Sequence, residues 1–180
     1  MFSRLIALVL LAVALPFFVI SCFLVLSSIG RPVFFKQCRV GRYGASFTIY
    51  KFRTMMGTDC PIRNECDFYS RTTVITRILR KLKLDELPQL FNILKGDMAF
   101  VGPRPLPPSA VNYFTKDQWR LRCKVMPGLT GLSQVNGCDH QSPRRRAVLD
   151  CLYAQNKNTC YDFVILFKTF IHIIKNKTSN

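Results

Sequence analysis

The longest apolar stretch of the chain lies near its N-terminus. Residues Leu5 to Ile29 carry no charge and consist mainly of Leu, Val, Ile, Phe and Ala. A helix needs about 20 such residues to cross a bilayer, so the stretch is long enough for a membrane element. Pro16 lies near its middle and removes a helical hydrogen bond, so we expect the helix to bend or break there.

A cleaved leader is the alternative interpretation of this stretch. The sequence Val19 to Cys22, "VISC", looks like a lipoprotein cleavage box, which predicts cleavage before Cys22. The apolar residues continue past Cys22 and then meet a basic cluster. This continuation favours a retained anchor.

Shorter patterns follow the apolar stretch. Between Val33 and Met55, two aromatic and β-branched segments flank the turn Gly41–Gly44, which predicts a small β-hairpin. Residues Gly57–Cys66 are polar and predict a loop. The last block, Cys160–Lys175, is apolar nearly all round and predicts a buried or membrane-dipping helix.

Residues Arg71–Leu84 predict a basic amphipathic helix. Its apolar positions fall on one side and are Val74, Ile75, Ile78, Leu79 and Leu82. Basic residues lie on or near the other side. Such a helix is typical of the membrane interface, with a solvated core helix as the alternative. The apolar N-terminal stretch favours the interface.

The charge balance adds an anionic partner to this picture. Lys and Arg total 26 against 10 acidic residues, a formal net charge of +16. This excess attracts nucleic acid, a phospholipid surface or phosphorylated substrates. No acid precedes Asp59, and basic residues directly follow the apolar stretch, as is typical of the cytoplasmic side of a membrane. Because Arg4 lies at the other flank, we expect both ends of Leu5–Ile29 to face the cytoplasm.

Eight cysteines make a secreted disulfide scaffold an alternative. The chain has no Cys-x-x-Cys motif, and His140 and His172 are isolated, so no zinc site is predicted. The basic body favours reduced thiols that act as small hydrophobic residues.

Two adjacent acids in a basic region are the first candidates for chemistry. In "LDELPQLFNIL", Asp85 is predicted to be the N-cap of a helix, with Glu86 just inside it. Capping and the helix dipole would explain both acids without any chemistry. A helix N-terminus also binds phosphate, and a carboxylate can attack phosphorus to form an acyl-phosphate. Glu86, with Asp85, could hold a divalent cation, for which hard oxygen ligands indicate magnesium.

Further candidates would contact the substrates. Arg104 in "GPRP" lies between two prolines that restrict its backbone, which aims its guanidinium at phosphate. Lys51 and Arg53 in "KFRTM" share a face of the predicted strand. The glycine-rich loop "PGLTGLSQVNG" offers Gln134 and Asn136 to a base or sugar, with a turn-rich connector as the alternative.

In order, "YKFRTM", "LDELPQLFNILKGDM", "VGPRPL", "PGLTG" and "QVNG" resemble the bacterial sugar transferase family, and more specifically its small monotopic phosphoglycosyl transferases. The resemblance covers essentially the whole chain. With no large multi-span region before the motifs, the chain resembles the minimal form.

The resemblance implies transfer of a sugar-1-phosphate from a nucleotide diphosphate sugar, with UDP expected, to a polyprenyl (undecaprenyl) phosphate, with Mg²⁺. Asp85 would be the nucleophile that becomes phosphoglycosylated, and Glu86 its partner. Substrate phosphates would be contacted by Arg104, Lys51, Arg53 and Arg80, with Arg80 facing the lipid phosphate. Further downstream, the resemblance adds Asp150 as a nucleotide-sugar candidate, and Tyr153 and Asp162 as positions of uncertain role.

The expected fold is α+β: a mainly helical, membrane-associated single domain with an N-terminal Pro-broken, re-entrant membrane helix, a β-hairpin and amphipathic interface helices. Residues 1–30 would form the anchor and residues 31–180 the catalytic domain. The location would be the bacterial inner membrane, with catalysis at the cytoplasmic face. Expected partners are membrane phospholipid and downstream glycosyltransferases, without nucleic acid.

The chain departs from the family pattern at several positions. Ser3 stands where relatives carry an acid, and Leu15 where they commonly carry Ser before the kinking proline. Relatives read "RPG", "TGWAQ" and "NGRN" where this chain has Met126, Leu132-Ser133 and Cys138-Asp139. The two lost arginines remove positive charge near the nucleotide pocket. The alternative is therefore a weakened paralogue, acting as a membrane-anchored basic adaptor or a nucleic-acid tether.

Overall fold

The computed structural model of the protein describes residues 2–57, 65–138 and 142–178. The chain divides into two compact units. The first comprises Met1–Gln37 and Ile49–Leu94, and the second comprises Cys38–Thr48 and Lys95–Asn180. Most of the polar loop predicted at Gly57–Cys66 lies outside the described residues.

The first unit begins with the long helix α1, Phe2–Ser28. Among the described helices, only its segment Ser3–Ser28 is long and apolar enough to cross a membrane, with a mean hydropathy of 2.9. The helix continues on both sides of Pro16, so no helix end lies at this residue. The re-entrant geometry therefore stays a prediction.

Three short helices complete the first unit: α2 (Glu65–Ser70), α3 (Val74–Lys81) and α4 (Gln89–Lys95, up to Leu94 in this unit). Helix α3 starts at a capping box formed by Thr73 and Thr76. A 3₁₀ turn, Leu84–Glu86, lies between α3 and α4.

A small apolar core holds these elements together. Val25 of α1, Phe52 and Leu79 of α3 are buried in it. Leu84 and Leu87 pack against the same core, on either side of the two acids. The C-terminal half of α1 thus contributes to the core on which the turn with the two acids packs.

The predicted hairpin is confirmed. Strands β1 (Phe34–Val40) and β2 (Ser46–Phe52) pair around a 3₁₀ turn at Arg42–Gly44. Tyr43 and Gly44 have φ angles of 57° and 81°, the left-handed conformation that tight turns often require. The outer half of the hairpin belongs to the second unit and its base to the first.

The second unit contains a parallel pair of three-residue strands. Strand β3 (Ala99–Val101) pairs with β4 (Gly128–Thr130), with Ala99 opposite Gly128 and Val101 opposite Thr130. The helices of this unit are α5 (Lys116–Arg122), α6 (Leu132–Val135), α7 (Pro143–Asn156) and α8 (Thr159–Thr178). A 3₁₀ segment, Pro108–Tyr113, precedes α5. The buried core of the unit consists of Val101, Val125, Leu132, Tyr153 and Ile165.

The expectation of a loop at "PGLTGLSQVNG" is wrong in part, because the segment forms β4 and α6. Two of its glycines, Gly128 and Gly131, allow close contact with the backbone of Gly102. A Cβ on Gly128 would lie 2.1 Å from the backbone nitrogen of Gly102, and one on Gly131 would lie 2.1 Å from the carbonyl oxygen of Gly102. Side chains at these positions would push β4 away from the segment that follows β3.

The coarse fold prediction is confirmed: the described chain is mostly helical, with a two-stranded hairpin and an apolar N-terminal helix. Three of the described helices each expose at least three large apolar side chains. On α3 these are Val74, Ile75 and Ile78, followed by Leu82 just after the helix. On α8 they are Phe163, Val164, Leu166, Phe167, Phe170 and Ile171. Helix α1 exposes such side chains along most of its length.

Candidate active site

Asp85 lies inside the 3₁₀ turn Leu84–Glu86 and not at the start of a helix. The prediction that it caps a helix is therefore wrong, since α4 starts only at Gln89. The residue is 8% exposed, and its Oδ1 has no hydrogen-bond partner among the described residues. A buried carboxylate oxygen without a partner is costly and rare in proteins, which makes this atom a candidate for chemistry.

Two neighbouring features explain how the turn presents this carboxylate. Lys83 has φ 59° and ψ 17°, a left-handed conformation that ends α3 and redirects the chain. Because a 3₁₀ turn places residues i and i+3 on one side, Leu84 and Leu87 pack together on the core. The residues between them are thereby fixed in place.

Opposing influences act on the ionisation of Asp85. Burial, followed by the neighbouring Glu86 carboxylate, raises the pKa of Asp85 above its ordinary value. The positive charges of Lys51, Arg80 and Lys83 act in the other direction and lower the pKa. The cations therefore help to keep a buried carboxylate ionised, as a nucleophile requires.

Glu86 lies beside Lys51 of β2. Lys51 Nζ donates to Glu86 Oε1 at 2.7 Å, and both side chains are largely buried. Lys51 thus fixes Glu86 and lowers the pKa of Asp85, so the structure brings this predicted residue to the two acids.

Asp85 and Glu86 are the side chains of this site that could hold a magnesium ion. Mg²⁺ is held in many phosphate enzymes by one or two carboxylates and completes its shell with water and substrate phosphate oxygens. Asp85 Oδ1, buried and without a partner among the described residues, is a donor of the required kind. No cluster of three or more His, Cys, Asp or Glu side chains occurs in the described part of the chain, so a cage made by protein alone is not provided there.

Arg80 and Arg53 have different surroundings. Arg80 Nη1 donates to Thr54 Oγ1 at 3.3 Å, and its charge acts on Asp85. Arg53 Nη2 instead donates to the carbonyl oxygens of residues 29, 30 and 31 at 2.9–3.1 Å. This position gives Arg53 the structural task of binding carbonyl groups just after α1, and its predicted phosphate contact stays a prediction.

Arg104 belongs to the second unit, in the loop that follows β3. The segment after this loop is tied to the hairpin, because Val40 N donates to Leu106 O at 2.9 Å. Arg39, the neighbour of Val40, lies close enough to Arg104 for the two charges to interact. Desolvation and then repulsion by Arg104 lower the pKa of Arg39 to about 10.

Asp150, predicted to bind the nucleotide sugar, is 1% exposed. Its Oδ2 accepts from Arg122 Nε at 3.0 Å, and its Oδ1 accepts from Ser133 Oγ at 2.9 Å. Burial is the largest influence on the pKa of Asp150 and raises it, whereas Arg122 and Ser133 lower it. The carboxylate is occupied inside the unit, so its position does not support direct contact with a nucleotide.

The other downstream candidates are placed as follows. Gln134 Nε2 donates to Leu129 O at 3.1 Å, while Gln134 Oε1 is buried without a partner among the described residues. Asn136 is exposed, and its Nδ2 donates to Leu132 O at 2.7 Å.

The Tyr153 hydroxyl donates to Asp162 Oδ1 at 2.7 Å and lies 3.1 Å from the carbonyl oxygen of Val101. The Tyr153 hydroxyl therefore connects α7 to α8 through Asp162 and to β3 through Val101.

Sequence reasoning missed Arg39, Arg122 and Ser133. Nothing in "WRLRCKV" separates the buried Arg122 from the exposed Arg120. Its partner Asp150 lies 28 residues away along the chain, and Ser133, which donates to the same carboxylate, lies 17 residues from Asp150, so no local pattern could have identified them.

The described cysteines form no disulfide. Seven of the eight are free, and Cys60 lies outside the described residues.

Comparison with known proteins identifies the class of protein to which this fold and site belong. The model of the family described as bacterial sugar transferase matches residues 1–176. The chain therefore belongs to the bacterial sugar transferase family, and it is an enzyme of the phosphoglycosyl transferase type.

Three relatives illustrate the range of similarity. The sugar transferase EpsL of Bacillus subtilis is 45% identical over 141 residues, which are 78% of this chain and 69% of EpsL. The undecaprenyl-phosphate galactose phosphotransferase of Salmonella typhimurium is 39% identical over 158 residues, 78% of this chain and 33% of that protein. The UDP-glucose:undecaprenyl-phosphate glucose-1-phosphate transferase of Klebsiella pneumoniae is 36% identical over 162 residues, 82% of this chain and 34% of that protein.

Proposed function

We propose that the protein transfers a sugar-1-phosphate from a UDP-sugar to undecaprenyl phosphate and thereby starts the assembly of a glycan or glycoconjugate. The observation that carries the proposal is Asp85 Oδ1, a buried carboxylate oxygen with no hydrogen-bond partner in the described part of the chain. The names of the Salmonella and Klebsiella relatives support the class of donor and acceptor.

The reaction would proceed in two displacements. In the first, an Asp85 oxygen attacks the phosphorus that carries the sugar. The bond from this phosphorus to the bridging oxygen breaks, and the nucleoside monophosphate leaves. In the second, an oxygen of undecaprenyl phosphate attacks the same phosphorus. The bond to Asp85 then breaks, which regenerates the carboxylate and forms a sugar linked to the lipid through a diphosphate.

Named side chains would assist these steps. Lys51 and Arg80 lower the pKa of Asp85, which favours its ionised form, and Lys51 also orients Glu86. Arg104 would bind a substrate phosphate through its guanidinium fork. Asp85 and Glu86 would hold Mg²⁺, which when bound neutralises negative charge on the diphosphate.

Helices α1 and α3, which belong to the same unit as the two acids, would bring this site to the lipid carrier. Their exposed apolar side chains have no protein covering within their own unit, which is typical of surfaces that meet a membrane. We expect the inner membrane, with the catalytic residues at the cytoplasmic face. A tag at residue 1 that an impermeant reagent labels from outside intact cells would contradict this topology.

The direct test is release of the nucleoside monophosphate. Purified full-length protein, undecaprenyl phosphate and Mg²⁺ are incubated with a panel of UDP-sugars. One or a few sugars are expected to release UMP, and chelation of the metal is expected to abolish the release. The absence of UMP with every sugar of the panel would contradict the proposal.

A further inference from the structure

The loop that carries Arg104 is bound through a run of consecutive carbonyl groups. Pro103 and Pro105 have no N–H group, so they cannot donate a hydrogen bond that would fix the loop. Four consecutive carbonyl oxygens accept hydrogen bonds instead. Their donors, for Pro103, Arg104, Pro105 and Leu106 in turn, are Gly128 N, Arg122 Nη2, Arg39 Nη1 and Val40 N.

Two of these donors are arginine side chains from different elements. Arg39 of β1 binds the Pro105 carbonyl at 3.3 Å, and Arg122, the last residue of α5, binds the carbonyl of Arg104 itself. The backbone on both sides of the Arg104–Pro105 peptide bond is therefore held by guanidinium groups. The acceptors of these bonds are backbone carbonyl groups, so the Arg104 side chain takes no part in them.

Arg122 is itself held from several directions. It is 3% exposed, and its Nε donates to Asp150 Oδ2 at 3.0 Å. The rings of Phe114 and Trp119 lie 5.6 and 5.5 Å from its guanidinium carbon. The planar fork can reach Asp150 and the Arg104 carbonyl at once, whereas the single ammonium group of a lysine cannot reproduce this geometry.

We propose that Arg122, oriented by Asp150, is a positioning residue that aims Arg104 at the substrate phosphate. This inference rests on the proposed function, because it assigns Arg104 to phosphate binding. It gives Asp150 an indirect task in the reaction, exerted through Arg122 and the loop backbone. Ser133 supports the same arrangement through its bond to the second Asp150 oxygen.

Hydrogen exchange tests whether Arg122 holds the loop, without any turnover. In Arg122→Lys, the amides of Gly102, Arg104 and Leu106, which are the residues of this loop with an N–H group, are expected to exchange roughly 10- to 100-fold faster, as the loss of a buried hydrogen bond from a charged group predicts. The matched control is Arg42→Lys, because the exposed Arg42 also donates to a carbonyl, that of Lys124, outside this loop. Equal exchange of the loop in Arg122→Lys and the wild type would overturn the proposal.

A double-mutant cycle with Arg104→Ala then tests whether Arg122 acts through Arg104. Arg122→Lys alone is expected to lower kcat by about 10- to 100-fold, as misplacement of a positioned group predicts. In the Arg104→Ala background the same change is expected to have little further effect on kcat, although it lowers thermal stability equally in both backgrounds. An equal loss of kcat in both backgrounds would show a general structural role and overturn the proposal.

The remaining outcomes are also informative. If Arg122→Lys does not fold, Ser133→Ala removes only one bond to Asp150, and a smaller effect of the same kind is expected on loop exchange and kcat. No effect of Ser133→Ala on either measurement would then count against the proposal. A wild-type protein that releases no UMP would refute the proposed function, while loop exchange would still decide whether Arg122 holds the backbone at Arg104.

Discussion

At the scale of single residues, the position of Asp85 is unfavourable for the stability of the fold. Its carboxylate is buried, next to another carboxylate, and one oxygen has no partner among the described residues. Active sites often contain such groups, because a nucleophile that is satisfied by hydrogen bonds is less available to react. Replacement of Asp85 should therefore change stability and activity in opposite directions.

We expect Asp85→Asn to be inactive but more stable than the wild type. The folded state raises the pKa of Asp85 and so binds its proton more tightly than the unfolded chain does. This group therefore favours folding below its unfolded pKa, and the benefit is lost as pH rises through the folded pKa. At neutral pH the neutral amide should add about 1 kcal/mol to the free energy of unfolding. That is roughly a 2–4 °C rise in the melting temperature for a chain of this size.

The control for this measurement is Asp117→Asn, at an exposed position in the first turn of α5. It should leave the melting temperature unchanged or slightly lower. A lower melting temperature for Asp85→Asn at neutral pH would show that the carboxylate stabilises the fold. That outcome would argue against a carboxylate reserved for chemistry.

Lys51→Met should move the acidic limb of the activity profile to higher pH. Lys51 lowers the pKa of Asp85, so its loss lets burial and Glu86 raise that pKa further. Because the nucleophile must be ionised, activity would then begin only at higher pH. Initial rates of UMP release across pH measure the limb, and Lys36→Met, which changes an exposed lysine of β1, should leave it in place. If the acidic limb of the profile lies at the same pH in Lys51→Met and in the wild type, Lys51 does not lower the pKa of Asp85.

At the scale of elements, α3 shows how sequence pattern and structure fit together. The predicted apolar side is present, yet only Leu79 of its large apolar residues is buried. A helix that merely covered a protein core would bury most of this side. The exposed residues therefore support an interface with lipid, and the last of them, Leu82, lies three residues before Asp85.

Tryptophan scanning of α3 can measure this interface. The chain has a single tryptophan, Trp119, which provides the background signal. In vesicles of anionic phospholipid, brominated acyl chains should quench Ile78→Trp strongly and Lys81→Trp little beyond this background. Equal quenching at both positions would mean that the exposed apolar side of α3 does not face lipid.

The correction at Asp85 also belongs to the scale of elements. The sequence pattern from Leu87 onwards predicted a helix correctly, but the cap position assigned to Asp85 required that helix to start too early. Packing of both Leu84 and Leu87 on the core favours a 3₁₀ turn before the helix. A local pattern does not record this tertiary preference.

At the scale of the whole molecule, features that depend on neighbouring residues could be predicted from the sequence, and pairings between distant segments could not. The hairpin and the apolar N-terminal helix followed from local patterns, whereas the roles expected for Lys51 and Arg80 at the two acids came with the family resemblance and stay predictions. The parallel pairing of β3 with β4 and the Arg122–Asp150 pair did not, because each joins segments about 28 residues apart. Strands of three residues carry too little alternation to be recognised from sequence.

The central claim is that Asp85 becomes covalently linked to the sugar phosphate. Intact-protein mass spectrometry, after incubation with an accepted UDP-sugar and Mg²⁺ but without the lipid acceptor, tests this claim directly. We expect a mass increase equal to one sugar phosphate, its absence in Asp85→Asn, and its loss when undecaprenyl phosphate is added. An active wild-type enzyme without this adduct, together with undiminished activity of Asp85→Asn, would contradict the account.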